Sequence, residues 1–244
     1  MLSKQAIIEM GDYCLSSHQF NKRRILSNHY NLNSGNGFLV DIKNKKLKIV
    51  LEGELINIRF ITLPNVSRKD LPRLIKDELT CYYNASDNIA YDYIIVNTDK
   101  NSIDTAVFTI DNSKINYIYE EARNKVKIHG VYLIQLCFLN YYKDSIKEKN
   151  YIFTFIYHDT LYLLYCMDNV IRHNYIYKNF QEFHSLKTIL QSFIDSVNIS
   201  NDNIIYFANY GSNDSDLSSI GKYKCIYLGD IDTHSFLNFI KEKR

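Results

Sequence analysis

The sequence IRFITLPNVSRKDLPRLIKDELTCYYNASDNIAYDYIIV occupies residues 58–96 and decides the fold. An apolar strand ends at Leu63-Pro64, and a second strand follows through Asp92-Tyr93. Between them, Ser67 and Asp70 have the three-residue spacing of a capping box, which predicts that a helix begins at Ser67. Apolar residues then recur at steps of three and four, which predicts one buried helix face made of Leu71, Leu74, Ile75, Leu79 and Tyr82.

Apolar patterning and turn residues predict the remaining elements. The predicted strands cover residues 5–10, 15–20, 25–32, 46–52, 55–63, 91–97, 105–110, 151–157, 161–167, 170–177 and 203–208. The predicted helices cover residues 115–126, 132–142 and 183–197. Gly130 is interpreted as a turn and His129 as part of a helix end. The charged segment 143–150 predicts a boundary between two halves, and alternating strands and helices in both halves predict α/β layering.

The order of strand, capped helix and strand closely resembles a segment of the PilM/GspL family, the actin-like cytoplasmic proteins of type IV pilus and type II secretion machines. The resemblance continues through Tyr91-Asp92-Tyr93, the 105–110 strand, Lys127-Ile128-His129-Gly130 and Asn169-Val170-Ile171-Arg172. It implies a reduced, two-lobe actin-like (ribonuclease H-like) α/β fold with mixed sheets flanked by helices. Residues 1–146 would form the first lobe, with a small subdomain inserted at about 60–110, and residues 147–244 the second, trimmed lobe.

Composition excludes several classes of function. The 244 residues carry a net charge of +2, which does not favour nucleic-acid binding. The basic clusters Lys22-Arg23-Arg24 and 43–48 are interpreted as turn or hairpin surfaces rather than membrane or phosphate contacts. Five scattered cysteines and seven histidines show no metal-ligand spacing, so no metal site is predicted. Without a long apolar run or a signal peptide, the chain is expected in the cytoplasm.

The resemblance places a nucleotide site at three turns, and this chain departs from the pattern at each of them. Actin-like ATPases present an Asp and a Gly at two hairpin turns, so that backbone amides hold phosphates and the carboxylate organises the metal. The first turn would be residues 9–12, which keep Gly11 but have Glu9 in place of Asp. The second, residues 155–158, ends at His158 without Asp-x-Gly, and the third, residues 209–212, keeps only Gly211. We therefore expect no nucleotide and no other cofactor.

Another reading of the residues is a thiol nucleophile formed by Cys14 and His18. These two lie four residues apart on a predicted strand or hairpin, where they would not share a helical face. The tyrosines interleave with isoleucine on strands, which half-buried strand packing explains more simply than a base-stacking platform. Glu78 lies at the edge of the apolar helix face and reads as a solvated residue. The resemblance implies that an acid is habitual there.

The resemblance implies a non-enzymatic scaffold that binds the N-terminal tail of a PilN-like membrane protein and communicates with an assembly ATPase. The protein would lie at the inner face of the cell membrane through its partners, as a monomer or a homodimer. The surface around Leu63, Pro64 and Glu78 is the expected partner contact. Two alternatives remain open: a divergent actin-like ATPase or small-molecule kinase, and a general peptide-binding adaptor.

Overall fold

Three β-sheets form the framework of the computed structural model. It describes residues 5–21, 24–32, 37–83, 88–122, 126–181, 185–197, 204–211 and 223–243. Lys22, Arg23, Ser212 and the parts of the predicted elements at residues 123–125, 183–184 and 203 lie outside these residues.

The first sheet has five strands in the order β3-β2-β1-β4-β8. Strands β1, β2 and β3 form an antiparallel meander, and β4 and β8 add to β1 in parallel. The bounds are β1 Gln5–Met10, β2 Cys14–Asn21, β3 Arg24–Asn31, β4 Lys46–Leu51 and β8 Lys127–Leu133. Five consecutive residues of β1 and of β4 are buried, which is typical of central strands covered on both faces.

The second sheet repeats this arrangement in the order β11-β10-β9-β12-β13. Again three strands form an antiparallel meander and two further strands add in parallel. The bounds are β9 Tyr151–Tyr157, β10 Thr160–Met167, β11 Val170–Tyr177, β12 Ile204–Ala208 and β13 Lys224–Tyr227. The β10–β11 turn has positive φ angles at Asp168 and Asn169, 54° and 62°, which suits a two-residue hairpin.

A small three-stranded sheet lies between β4 and β8 in the chain and has the order β5-β7-β6. Its elements are β5 Asn57–Pro64, α2 Leu71–Thr80, β6 Ile89–Thr98 and β7 Ser102–Asp111. Helix α2 covers one face of this sheet and buries Leu71, Ile75 and Leu79 against it. The four-residue spacing of these side chains places them on one side of the helix, which can therefore pack against the sheet.

Five helices remain among the described residues: α1 Leu39–Ile42, α3 Ser113–Ala122, α4 Ile134–Tyr142, α5 Leu186–Val197 and α6 Thr233–Glu242. Two of them, α4 and α6, pack between the first and second sheets. The ring of Phe138 on α4 stacks on Phe155 of β9 with centroids 4.0 Å apart, and lies 4.9 Å from Phe236 of α6. These rings belong to one core that includes residues of both large sheets.

The start of α2 differs from the prediction. The helix begins at Leu71 after Asp70, and no side chain caps a backbone amide there. Instead the Ser67 hydroxyl donates to the Asp70 carboxylate at 2.6 Å, so these residues form a turn ahead of the helix. Tyr82 lies beyond the helix and is exposed, because its ring stacks under the Arg59 guanidinium at 4.1 Å and not in the core.

The predicted Gly130 turn is also wrong. Gly130 and His129 lie within strand β8, and Val126 precedes this strand and is not part of α3. A Cβ at Gly130 would lie 2.7 Å from the hydroxyl of Tyr132, so a close approach inside the strand explains the glycine. Tyr132 and Leu133 complete β8, and the buried helix predicted from residue 132 begins at Ile134.

Helix α6, which the sequence interpretation missed, joins the last described residues to the first sheet. The side chain of Lys48 on β4 is buried and donates to the carbonyls of Ile240 at 2.9 Å, Lys241 at 2.8 Å and Lys243. These three bonds satisfy the ammonium group and cap the helix C-terminus, where a positive charge is favourable. Strand β13 and the single turn of α1 were also not predicted.

Candidate functional site

The ends of the central strands β1 and β9 face each other, and both carry polar side chains into the space between the sheets. Glu9 is only 4% exposed although it lies in an otherwise apolar strand. Its Oε2 is 2.8 Å from Nε2 of His18 on the neighbouring strand β2, and Nδ1 of the same imidazole is 2.8 Å from the Ser27 hydroxyl on β3. A row of hydrogen bonds therefore runs across the first sheet to Glu9.

Tyr157 of the second sheet completes the pairing of Glu9. Its hydroxyl donates to Oε1 of Glu9 at 2.6 Å, so both oxygens of the carboxylate are bound. Burial by itself would raise the pKa of Glu9, but the hydrogen bonds and charge of His18 and the bond from Tyr157 outweigh it and lower that pKa. Burial and the nearby Glu9 charge raise the pKa of Tyr157, which keeps the phenol protonated.

A second pair, Glu52 and His158, crosses the same space. Nδ1 of His158 lies 2.9 Å from Oε2 of Glu52, which follows β4. Burial raises the pKa of Glu52, and the hydrogen bond to Glu52 raises the pKa of His158. Gly53, at φ 68°, donates its amide to the Tyr162 hydroxyl at 2.9 Å. We call Glu9, His18, Glu52, Tyr157 and His158 the cleft cluster; it links the first sheet to the second.

The turn after β1 contains Gly11, which the resemblance assigns to phosphate binding, and the neighbouring acid Asp12. The Asp12 carboxylate is bound to Lys114 of α3 at 2.8 Å and to Lys178 at 2.5 Å. Burial would raise the pKa of Asp12, but these two lysines lower it. Lys114 also binds Glu54 at 2.6 Å. The acid of this turn is therefore neutralised by the protein's own lysines.

The turn after β12 is bound to its own surroundings. Asn209, at φ 59°, donates to the Ile156 carbonyl at 2.8 Å and accepts from the Ile231 amide. The side chain of Tyr210 is buried, with its hydroxyl 2.7 Å from that of Thr154. Gly211, at φ 64°, donates its amide to Asp230 at 2.9 Å. Its amide is thus directed at a carboxylate, which would repel a phosphate.

A cavity of about 310 Å³ remains beside the cleft cluster. This volume is at the lower end for small-molecule sites. Its lining combines residues of both large sheets and the start of α6: Glu9, His18, Ser27, His29, Tyr157, His158, Asn209, Ile231 and Thr233. Within the described ranges, no three His, Cys, Asp or Glu side chains are grouped closely enough to hold a metal ion. The Glu9 carboxylate in this lining disfavours an anionic ligand unless a cation accompanies the ligand.

The structure separates the other candidate residues. Cys14 and His18 are four positions apart on strand β2, a span of roughly 13 Å. Burial raises the pKa of the Cys14 thiol, and the charge of Glu52 raises it further. The distance from His18 and the raised pKa are both contrary to a Cys14 thiolate activated by histidine. At the expected partner surface, Leu63 is buried under α2, whereas Pro64 and Glu78 are exposed.

The sequence interpretation missed Glu52 and the bonds that connect the cleft cluster. Only Glu9 gives a signal in the sequence, since it is a charged residue in the apolar run Ala6–Met10, whereas His18 lies among the polar residues Ser16, Ser17 and Gln19. A charged residue in a buried strand needs a partner. The identity of the partner could not be read from the sequence, because Tyr157 lies 148 positions from Glu9.

No protein-family model and no curated protein matches the sequence. Solved structures do match. PilM in the PilM–PilN type IV pilus biogenesis complex is similar with a TM-score of 0.68 and 10% identity, over 96% of this chain and 90% of that chain. Doubled sheets with the same strand order and this near-complete overlap decide the fold. The chain has the actin-like fold.

Two further structures agree with this assignment. The cytoplasmic domain of EpsL, an inner membrane component of the type II secretion system of Vibrio cholerae, has a TM-score of 0.58 at 5% identity, over 97% of this chain and 94% of that domain. A Bacteroides thetaiotaomicron protein with an actin-like ATPase fold and unknown function has a TM-score of 0.53 at 10% identity, over 98% and 96%. The α/β actin-like fold and the structural likeness to PilM and EpsL, expected from residues 58–96, are thus confirmed. In the part of the chain that is described, no helix is long and apolar enough to cross a membrane.

Proposed function

We propose that this protein is a non-enzymatic scaffold of a bacterial type IV pilus or type II secretion-like assembly platform. It binds the N-terminal cytoplasmic tail of a PilN-like bitopic membrane protein and links that protein to the assembly ATPase at the inner face of the membrane. The observation that carries this proposal is the cleft cluster. Glu9, Tyr157 and His158, which form hydrogen bonds in this cluster, belong to turns to which the resemblance assigns a nucleotide, and this supports a function without one.

The alternative of a divergent ATPase or kinase has weaker support. Binding of magnesium and phosphate at the cleft would require a free carboxylate and free backbone amides. Asp12 is bound to two lysines, and both oxygens of Glu9 accept hydrogen bonds. We expect isothermal titration with magnesium and ATP to give no binding heat. A micromolar affinity that disappears in Gly11→Trp would contradict the non-enzymatic assignment.

The small sheet offers a surface for the partner tail. Strands β5 and β6 are its outer strands, and an extended peptide can add to such an edge through main-chain hydrogen bonds. Phe60 on β5 and Ile94 on β6 are exposed large apolar residues, and Pro64 ends β5. These residues lie in the same small subdomain as Glu78 of α2. We therefore place the tail on this subdomain, with Pro64 and Glu78 as contacts and Leu63 as internal support.

Binding of the tail can be tested with a synthetic peptide that carries the N-terminal cytoplasmic tail of a PilN-like membrane protein. The peptide should raise the melting temperature, as does any ligand selective for the folded state. Phe60→Ser is expected to abolish this rise. Tyr175→Ser on β11 is the matched control, because Phe60 and Tyr175 are both 45% exposed. Equal shifts with a scrambled peptide would contradict the proposal and favour a general peptide-binding adaptor.

A further inference from the structure

The basic segment 43–48 forms part of a larger basic surface that the sequence does not reveal. Lys46 on β4 lies directly opposite Lys127 on β8. Lys46, His129 and Lys241 line the same small cavity at this end of the first sheet. Lys48 lies beneath them and holds the last turn of α6, which carries Lys241 and Lys243. We call Lys46, Lys127, Lys143, Lys241 and Lys243 the lysine face.

Charge on this surface is not neutralised by the protein. Among the described residues, no member of the lysine face forms an ion pair. The members are close enough to affect one another: burial and then the charge of Lys243 lower the pKa of Lys48. Lys143 acts on Lys243 in the same sense. Asp144 and Glu242 are acidic neighbours of this surface in the sequence, so its five lysines leave an excess of three positive charges on a chain whose net charge is +2.

The side chains of this face lie along aromatic rings. Nζ of Lys241 is 4.6 Å from the ring centre of Phe20, and Nζ of Lys243 is 5.1 Å from that of Phe239. These are cation–π contacts, which hold the ammonium groups of two partly buried lysines in fixed positions at this surface. Phe20 is itself buried, so the surface presents ammonium groups and no exposed Phe20 ring on which a base could stack.

We propose that the lysine face binds directly to the anionic headgroups of a lipid bilayer. Lysine is a hydrated point charge that does not need a shaped acceptor, and several lysines on one face attract an anionic membrane additively. This inference goes beyond the proposed function, in which partners alone hold the chain at the membrane.

Co-sedimentation with vesicles tests the proposal. The full chain should sediment with vesicles of phosphatidylcholine and phosphatidylglycerol, but not with phosphatidylcholine alone, and added salt should release it. The double variant Lys46→Glu, Lys127→Glu should bind at least about tenfold more weakly. The matched control is Lys69→Glu, Lys76→Glu, which makes the same charge change at two exposed lysines of the small subdomain. Its binding should remain within about twofold of the parent chain.

Three outcomes would overturn the lipid proposal: no binding to the anionic vesicles, equal losses in both double variants, or tighter binding to a DNA duplex than to the vesicles. Thermal melts of both variants check that they are folded. The peptide-shift experiment on Lys46→Glu, Lys127→Glu separates the two proposals. An unchanged peptide shift with lost vesicle binding supports both of them, whereas vesicle binding without any peptide shift contradicts only the scaffold function.

Discussion

The first and second sheets have the same order of strands, but the turns that follow their central strands have different roles. After β1, the turn holds Gly11 and Asp12, and the Asp12 carboxylate binds Lys114 and Lys178 near the surface. After β9, His158 adopts φ 51° and reaches Glu52 across the cleft. The turn after β1 therefore has a glycine and an acid, but the acid is bound to lysines. The turn after β9 has neither residue type at positions 155–158.

The difference shows that two sheets can share one strand order while the turns after their central strands make different contacts. A hydrogen bond between the sheets needs side chains long enough to meet, which Glu9 and Tyr157 provide. Phosphate binding needs the opposite, a small residue that lets the backbone approach. In the second turn, Tyr157 therefore supplies a contact between the sheets at a place where the resemblance would require a small residue. We expect the contributions of the two turns to stability to differ accordingly.

The largest effect should come from Glu9→Ala. This substitution leaves the buried His18 and Tyr157 without their shared acceptor and should lower the free energy of unfolding by about 3 kcal/mol. Asp12→Ala, at the partly exposed turn, should cost about 1 kcal/mol or less because solvent screens its ion pairs. Chemical denaturation of the two variants compares the buried contact between the sheets with the surface ion pairs of the same turn. Equal losses would mean that the two carboxylates are equally important for holding the fold.

Tyr157→Phe should have an intermediate effect of about 1 kcal/mol, since it removes one hydrogen bond and keeps the ring in the core. Loss of this bond also raises the pKa of Glu9 toward its ordinary value of 4.5. A carboxyl group with a lowered pKa stabilises above that value, and this contribution is lost as pH falls through the folded pKa. As the pH falls below 4.5, the variant should therefore lose less stability than the parent does. Parallel acid-unfolding curves would contradict this role, and Tyr175→Phe serves as an exposed control.

The smallest effect is expected at His158, whose side chain is half exposed. The pKa of His158 is raised from 6.5 by its hydrogen bond to Glu52. Such a group stabilises fully below 6.5, and this contribution disappears as pH rises through the raised pKa. His158→Gln should thus be less stable than the parent at pH 6 and close to it at alkaline pH, as thermal melts across this range will measure. A difference that grows with pH would contradict the pairing.

The sequence predicted those elements whose local signals agree with their final environment. The predicted 151–157 and 170–177 strands match β9 and β11, because strong apolar runs and two-residue turns fix both ends. Strand β13 has only four residues and pairs with a strand that lies about twenty positions earlier, so its periodicity gave no signal. Gly130 misled the interpretation because a glycine can relieve a close contact in a strand as well as form a turn. The division into lobes at residue 146 stays a prediction.

The cleft cluster could be predicted only in part. The charged residue Glu9 in a buried strand indicates that an internal partner is needed, whereas the choice of Tyr157 depends on how two sheets pack. In the same way, the 43–48 lysines are visible in the sequence, but their union with Lys127 and Lys241 depends on strand register and on the docking of α6. Interactions along one element can be inferred from spacing, and those between sheets cannot.

The bond between Lys48 and α6 has a consequence for biosynthesis. Lys48 leaves the ribosome early, yet its first acceptor, Ile240, follows 192 residues later. At typical rates of translation this interval is roughly 10 to 40 s. Throughout it, the ammonium group of Lys48 lacks the carbonyls of α6 that bind it in the folded protein. The first sheet therefore gains this contact only after α6 has been synthesised, and chaperones have time to act before then.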